Sequence, residues 1–525
     1  MYQQGNVLPY VLAMMAALLF SAQYVFNAYK VSNQSTQLQN TTDAAAYSVA
    51  TVYAQNYNFV ALSNRALVAN QITMAQVVTT VSWMRMLVTL AETVNDIGQY
   101  IPYVAAITNI IDNAAQAISP VLETAAPIIS EVVAKYILAG SQAQKIAVPL
   151  TAVIAQEVLA EVVEKNDPDV DYSLATVSIS GQSATHLSSL YGQSDCYNEA
   201  EKVRSGSFGD EETIARCRQF RNITLASRDG FTESRTYRFQ FPAMPATIIL
   251  PDVAVEPVAG QPLYSTLTLE RGGETVMGGD TPAVEKDTPF TTWTAIDTTS
   301  LHASTHFINL QLKADSTTHA EKVKLGVGHA YAGDECSSCH HITHEGSDAW
   351  SKNPRGSSCT DPDSYNGYAD GSKSQNDSAF ALMDVAALDC GSLANNYREP
   401  LSDNKGVGLS LFYNLKDEGY VEKKDHIMVY LRKSQHAVKT ASQTTGGGTG
   451  AYKLDRYQGA QNSVFHGSAG AAVFFRRGND QWMLNSGRRL DGRLEFGNSY
   501  NPFWEARLDR LTTDERIALE AIKEL

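Results

Sequence analysis

The sequence predicts an α+β protein: a long N-terminal apolar helix and helical stem, followed by a large antiparallel, β-rich body. Three observations carry that expectation. From Tyr10 to Ile97 there is neither glycine nor proline, which is hard to reconcile with anything but long helices. Charge is sparse in residues 1–150, where only eleven charged side chains lie, and concentrated after them. Beyond Asp171 the texture turns to Ser, Thr, Gly and Tyr with alternating apolar positions, the pattern of half-buried strands.

A chain of 525 residues exceeds what one compact core normally serves. The expected division is 1–57 as transmembrane helix and stem, 58–168 as a helical region, and 169–525 as an exported β-rich body with a short C-terminal helix. Charged residues make up 18% of the chain, below the usual quarter, and the deficit belongs to the first 150 residues. The formal net charge of -15 and the lack of a Lys/Arg patch argue against a nucleic-acid partner, which needs a basic face to displace counterions.

Asn6 to Phe26 carry no charged side chain, and Val7 to Phe26 are dominated by Val, Leu, Ala, Met and Phe. A run of about 20 such residues matches the hydrocarbon thickness of a bilayer. A cleaved leader would show a basic n-region, a shorter apolar run and a small-residue cleavage site. Met1 to Gly5 contain no Lys or Arg, and apolar character continues past Ala22. The expectation is a retained anchor that meets lipid and neighbouring helices through Val7, Leu8, Tyr10, Leu12, Leu18, Leu19, Phe20 and Phe26. Pro9 falls in its first turn, where a missing N–H matters least. Lys30 is the first charge, so orientation rests on the exported character of the C-terminal body.

Ser32 to Thr42 are uncharged and poor in helix formers, while Asp43-Ala44-Ala45-Ala46-Tyr47 offers small residues for close helix approach. Such a helix is marginal alone in water, so packing must hold it. Further helices are expected between Ile101 and Glu164, broken near Pro102, Pro120, Pro127 and Pro149, and Asn166-Asp167-Pro168-Asp169 reads as a boundary.

In the body, Tyr237-Phe239-Phe241, Phe307-Leu310-Leu312, Val323-Leu325-Val327, Leu409-Leu411-Tyr413, Val429-Leu431 and Val473-Phe474-Phe475 are strand signals. Leu267-Leu269, Gly272-Gly273 and Val276 read as a hairpin. A C-terminal helix is expected to start at Thr512 or Thr513, with Asp514 and Glu515 in its first turn.

All six cysteines, Cys196, Cys217, Cys336, Cys339, Cys359 and Cys390, lie in the body. Even parity and an exported setting point to disulfides, with Cys196–Cys217 the local pair and the other connectivities open. Cys336-Ser337-Ser338-Cys339-His340 also has the form of a c-type haem attachment site. His329, His341 and His344 would then offer a second axial ligand, or complete a zinc site with the cysteines. Asp361, Asp363, Asn366 and Asp370 could wrap Ca²⁺, although their spacing is not that of an EF-hand and such a run is more often a solvated, turn-rich loop. Neither haem c nor Ca²⁺ is the leading expectation; no cofactor is. Gly446 to Gly450 lacks the Lys-Ser/Thr of a phosphate loop, and no catalytic constellation is present.

Gly5-Asn6-Val7, the apolar run, and Leu38-Gln39-Asn40-Thr41-Thr42-Asp43-Ala44-Ala45-Ala46 together resemble the TadE/TadG-like Flp pilus-assembly proteins, the pilin-like proteins of the tight-adherence system. Asn58 to Gln71 looks like the second helix of the larger TadG-like members, Asn501 to Leu508 is similar to their C-terminal motif, and Trp293 through Asp297 to His302 to a mid-chain segment. Tyr10 stands where ordinary type IV pilins carry Glu, and no Asp-x-Ser-x-Ser adhesion motif is present.

The resemblance implies a non-enzymatic structural subunit of a Tad or type IV-like pilus. It would be anchored in the bacterial inner membrane before assembly, with its body periplasmic or extracellular and finally on a cell-surface pilus. Its partners would be copies of itself or other pilin-like proteins through the N-terminal helices, together with the pilus assembly machinery. Two alternatives come from other classes: an exported monohaem electron carrier using Cys336, Cys339 and His340, and a surface adhesin whose 25 tyrosines contact its target.

Overall fold

The computed structural model describes residues 7–98, 102–173, 191–194, 210–235, 237–240, 244–245, 263–277, 292–309, 314–333, 412–415, 425–434, 464–475 and 497–517. Its helices are α1 (Leu8–Gly98), α2 (Pro102–Asn166), α3 (Glu211–Ala226) and α4 (Gly230–Glu233). The strands are β1 (Val170–Asp171), β2 (Tyr191–Ser194), β3 (Tyr237–Gln240), β4 (Met244–Pro245), β5 (Leu263–Met277), β6 (Thr292–Asn309), β7 (Ala314–Gly333), β8 (Phe412–Leu415), β9 (Asp425–Ser434), β10 (Val464–Phe475) and β11 (Trp504–Asp509). The mixed α+β expectation therefore holds. Two compact units share these elements: Met1–Asn64, Gln144–Gly192 and Tyr413–Leu525 form the first, and Arg65–Ala143 with Gln193–Phe412 the second.

The helices are longer than their sequences suggest. α1 is a single helix of 91 residues and runs through Ser32 to Thr42 without a break. α2 begins at Pro102, as expected, but is continuous for 65 residues through Pro120, Pro127 and Pro149, where breaks were expected. All three prolines lie on exposed positions, while Ala126 and Val148 beside them are buried. Each proline removes one helical hydrogen bond, but packing of the buried side carries the helix past it. α2 ends at Asn166, and a turn follows at 168–169.

In the first unit the sheet order is β1-β9-β10-β11, antiparallel throughout. Ala471 of β10 stands between Ile427 of β9 and Leu508 of β11. Period-two alternation sends Ile427, Val429 and Leu431, and likewise Ala469, Ala471, Val473 and Phe475, to one buried side. Ala45, Ala46, Val49, Ala50 and Tyr53 of α1 and Ala155, Leu159 and Val163 of α2 complete that core. The alanine run of α1 thus serves close packing within its own unit. Gly467 of β10 does the same from the other side: a Cβ there would fall 2.3 Å from Thr42 Oγ1. At the C-terminus the Glu515 amide donates to Thr512 Oγ1 and the Thr512 amide to Glu515 Oε2. This is a capping box that opens the helical turn at 513–517.

The second unit is built on an antiparallel sheet of order β3-β5-β6-β7, with β4 also paired to β5. The hairpin expected at Gly272-Gly273 does not form; both glycines lie inside the 15-residue strand β5. Gly273 is there for close approach, because a Cβ on it would lie 2.2 Å from Asp297 Oδ1 and 2.9 Å from Arg235 Cβ. Asp297 of β6 accepts from Arg235 Nε at 2.7 Å, Arg235 Nη2 at 3.2 Å and Ser82 Oγ of α1 at 2.8 Å. Arg235 spends its other donors on Phe231 O, Thr232 O and Thr275 Oγ1. Gly328 of β7 lets α1 settle on the sheet, since a Cβ there would lie 1.8 Å from Ser82 O.

Asp229 caps α4 by accepting from the amides of Phe231 and Thr232, and Gln76 of α1 donates to its Oδ2 at 2.9 Å. The Gln76 bond first, and then those from Thr232 and Phe231, hold its carboxyl at about 2 against an ordinary value of 3.8. A depressed carboxylate contributes stability that is complete above its unfolded value and is lost as pH falls through its folded value. Wild-type protein is therefore expected to lose thermal stability in the second unit between about pH 4 and pH 2, and Asp229→Asn to flatten that dependence. Melting curves over this range check it; an unchanged slope in the variant would assign the acid sensitivity elsewhere.

Candidate membrane-anchoring and assembly surface

The same helix lives in two environments within the first unit. Residues 7–22 are exposed on every face, and from Leu38 onward one face is buried. All eight residues expected to form the anchoring surface are exposed, from Phe26 at 41% to Tyr10 at 80%. Met14, Met15, Val11, Val25 and Tyr29 join them. A helix apolar on all sides and exposed along its whole N-terminal run is built for lipid or for other helices. Its first charge, Lys30, reaches back so that its Nζ lies 5.7 Å from the centre of the Phe26 ring. That placement keeps the ammonium at the border of the apolar run.

Polar side chains govern the passage from exposed to buried helix. Gln34 Oε1 accepts from Lys433 Nζ at 2.8 Å, Gln37 Nε2 donates to Asn166 O at 3.1 Å, and Gln39 Nε2 to Ser468 O at 3.0 Å. Lys433 Nζ also donates to both oxygens of Asp167, at 2.7 and 2.8 Å, and both of these residues are 2% exposed. The glutamines that make Ser32 to Thr42 read as poor helix formers are thus the ties that fasten α1 to α2, β9 and β10.

Further along α1, the Asn58 amide grips the main chain of Trp504 from both sides: Nδ2 donates to its carbonyl and Oδ1 accepts from its N–H, each at 2.9 Å. Tyr57 stacks on the Trp504 indole with ring centres 4.9 Å apart, and Asn64 Nδ2 donates to Ser499 O at 3.0 Å. In the second unit Gln71 Oε1 accepts from Trp293 Nε1 at 2.8 Å. Within the first unit Asn58 thus holds Trp504 of the C-terminal segment, and within the second Gln71 holds Trp293.

Gln34, Asp167 and Lys433 were missed as a group. Lys433 was findable, since it continues the inward alternation Ile427, Val429, Leu431. The apolar exposed residues of α2 were missed too, and Ala117–Asn166 as well as Leu8–Ala91 is long and apolar enough to cross a membrane.

The other candidate residues fall mostly elsewhere. Cys336, Cys339 and His340, with His341 and His344, lie outside the described residues, as do Asp361, Asp363, Asn366 and Asp370 and Cys196, Cys359 and Cys390. Cys217 lies on α3 and is fully buried, and His329 is on β7 opposite Ile296 of β6. Among the described residues no group of three His, Cys, Asp or Glu side chains is placed to hold a metal ion.

No curated protein and no solved structure matches the chain. One family model does, over residues 5–52: that of the Flp pilus-assembly TadE/G-like proteins. The matched span holds the whole exposed apolar segment and its passage into the first unit, while the other segments of resemblance lie beyond it. This chain carries a TadE/G-like Flp pilus-assembly segment at its N-terminus, and the match together with the apolar helix fits a pilus-associated, membrane-anchored protein.

Proposed function

We propose that the chain is a pilin-like structural subunit of a Tad or type IV-like pilus. The N-terminal helix holds it in the inner membrane and then packs with the helices of other copies or of other pilin-like proteins, while residues 169–525 are displayed outside. One observation carries the reading: α1 is bare and uncharged over residues 7–22 yet fastened to its own body from Gln34 onward. The fastened part makes the helix a fixed projection of the body rather than a loose leader, and the bare part asks for partners of its own kind. In this reading the body cysteines pair as disulfides, Cys196 with Cys217 among them, which the buried setting of Cys217 supports. The role in this reading is structural.

A charge in the middle of the bare segment tests the anchor. Leu18→Arg places a guanidinium near the bilayer centre at a cost of about 2.5–3.5 kcal/mol on insertion scales. The variant is expected to lose most of its membrane retention on fractionation, whereas Leu18→Phe keeps it. Electron microscopy of the full-length protein after detergent removal tests assembly. Ordered multimers with helices at their centre are expected, and dispersed single copies with a separable stem would overturn the pilin reading.

A further inference from the structure

The part of α2 in the second unit is inside out. Its buried side carries Ala126, Ser130, Val133, Ala134, Ile137 and Ser141. Its exposed side carries the larger apolar residues: Val121 is 64% exposed, Ile128 60%, Val132 46% and Tyr136 65%. The side turned away from its own unit is thus the more apolar one, the reverse of a solvated surface helix. Val121, Ile128, Val132 and Tyr136, with Ala125 and Ala139, recur at spacings of three and four. This is the seam of a helix that meets another helix.

Charge says which helix. The seam has one charged flank, where Glu131 and Lys135 pair at 2.8 Å one turn apart. In a pair of antiparallel helices related by a two-fold axis, each flank meets the same flank of its mate. If the axis passes near residue 133, every Glu131 faces a Lys135 of the other copy. A parallel pair would instead set the charged flank of one helix against the uncharged side of the other. The surface is therefore self-complementary in one arrangement. We infer that Val121, Ile128, Val132 and Tyr136 of α2 form an isologous interface with a second copy of this chain, helices antiparallel and Glu131 opposite Lys135. This contact is separate from the packing of the N-terminal helices and stands or falls without it.

The test uses the full chain in detergent, with micelles in excess over protein so that chance sharing of a micelle is rare. p-Benzoylphenylalanine placed at position 128 or 132 is expected to give a covalent dimer on illumination, and the same probe at the buried position 134 is not. Glu131→Lys alone or Lys135→Glu alone should each lower the dimer yield roughly fivefold, as surface ion pairs of this kind allow. Mixing the two variants should restore it, because one copy then offers two lysines to two glutamates of the other. Adducts to detergent or lipid without dimer would overturn the interface and make this face a lipid contact. Dimer yields that ignore both charge changes would overturn the antiparallel register. A parallel probe at position 18 reports packing of the N-terminal helix, so failure there and failure here are read separately.

Discussion

Asp297→Ala is expected to destabilise the second unit by about 3–5 kcal/mol, the range for removing one partner of a buried ion pair. The side chains of Asp297 and Arg235 are 0% and 1% exposed. With the carboxylate gone, the Arg235 guanidinium keeps its bonds to Phe231 O, Thr232 O and Thr275 Oγ1 but loses its anionic partner, and Arg271, whose Nη2 lies 3.5 Å from Asp297 Oδ1, loses one as well. Ser82 Oγ retains only Gly328 O, at 3.1 Å, so α1 also loses a tie to β6. The loss comes from a stranded charge more than from the worth of the pair, and that distinction is testable. The double variant Arg235→Met with Asp297→Leu removes the two most buried charges, leaves only the more exposed Arg271 to find water, and should recover much of the stability lost in the single variant. Denaturant titration followed by hydrogen exchange on β5 and β6 measures both. If Asp297→Ala costs under about 1 kcal/mol, the guanidinium must be finding water, and the burial argument fails.

The same network shows what a sequence can and cannot disclose. Asp297 sits in a run of Thr and Ser on β6, and Arg235 lies 62 residues away after a short helix. Each looks like an ordinary surface charge, because a pair made by tertiary contact leaves no local period. Gly272-Gly273 misled for a related reason. Glycine pairs mark turns when the backbone must reverse, but here Gly273 makes room for Asp297 and Arg235, and that demand comes from a neighbouring strand. The uncharged run to Phe26 and the turn-free stretch to Ile97 needed no such knowledge, since length and composition alone limit what they can be. Strand character was similarly legible in β9 and β10, whose Ile427, Val429 and Leu431 and Ala471, Val473 and Phe475 line one core, although Met428, Tyr430 and Ala472 on the other face are buried too. The prolines of α2 lie between these cases: each is a true local penalty, outweighed by packing that the sequence does not display.

Lys433→Ala carries the second large expectation, about 3–5 kcal/mol lost from the first unit. All three donors of its ammonium are used, two on Asp167 and one on Gln34. Truncation leaves the Asp167 carboxylate buried without its cation just beyond the end of α2, so the outcome should resemble that of Asp167→Ala. Lys433→Met combined with Asp167→Leu should regain much of the loss, as in the other pair. Gln34→Leu separates a further contribution. It leaves the ion pair intact but removes one acceptor, and is expected to cost about 1–3 kcal/mol. Here the consequence reaches the anchor, because Gln34 lies on α1 just past the last residues exposed on all sides. Hydrogen exchange across residues 31–42 should quicken in both Lys433→Ala and Gln34→Leu, while the Asn58 contact to Trp504 holds the helix farther along. A body that unfolds with no change in exchange at 31–42 would mean that the lysine stabilises the sheet without fixing where the helix departs. If exchange quickens there first, the buried lysine is what turns a membrane helix into a rigid extension of the body it carries.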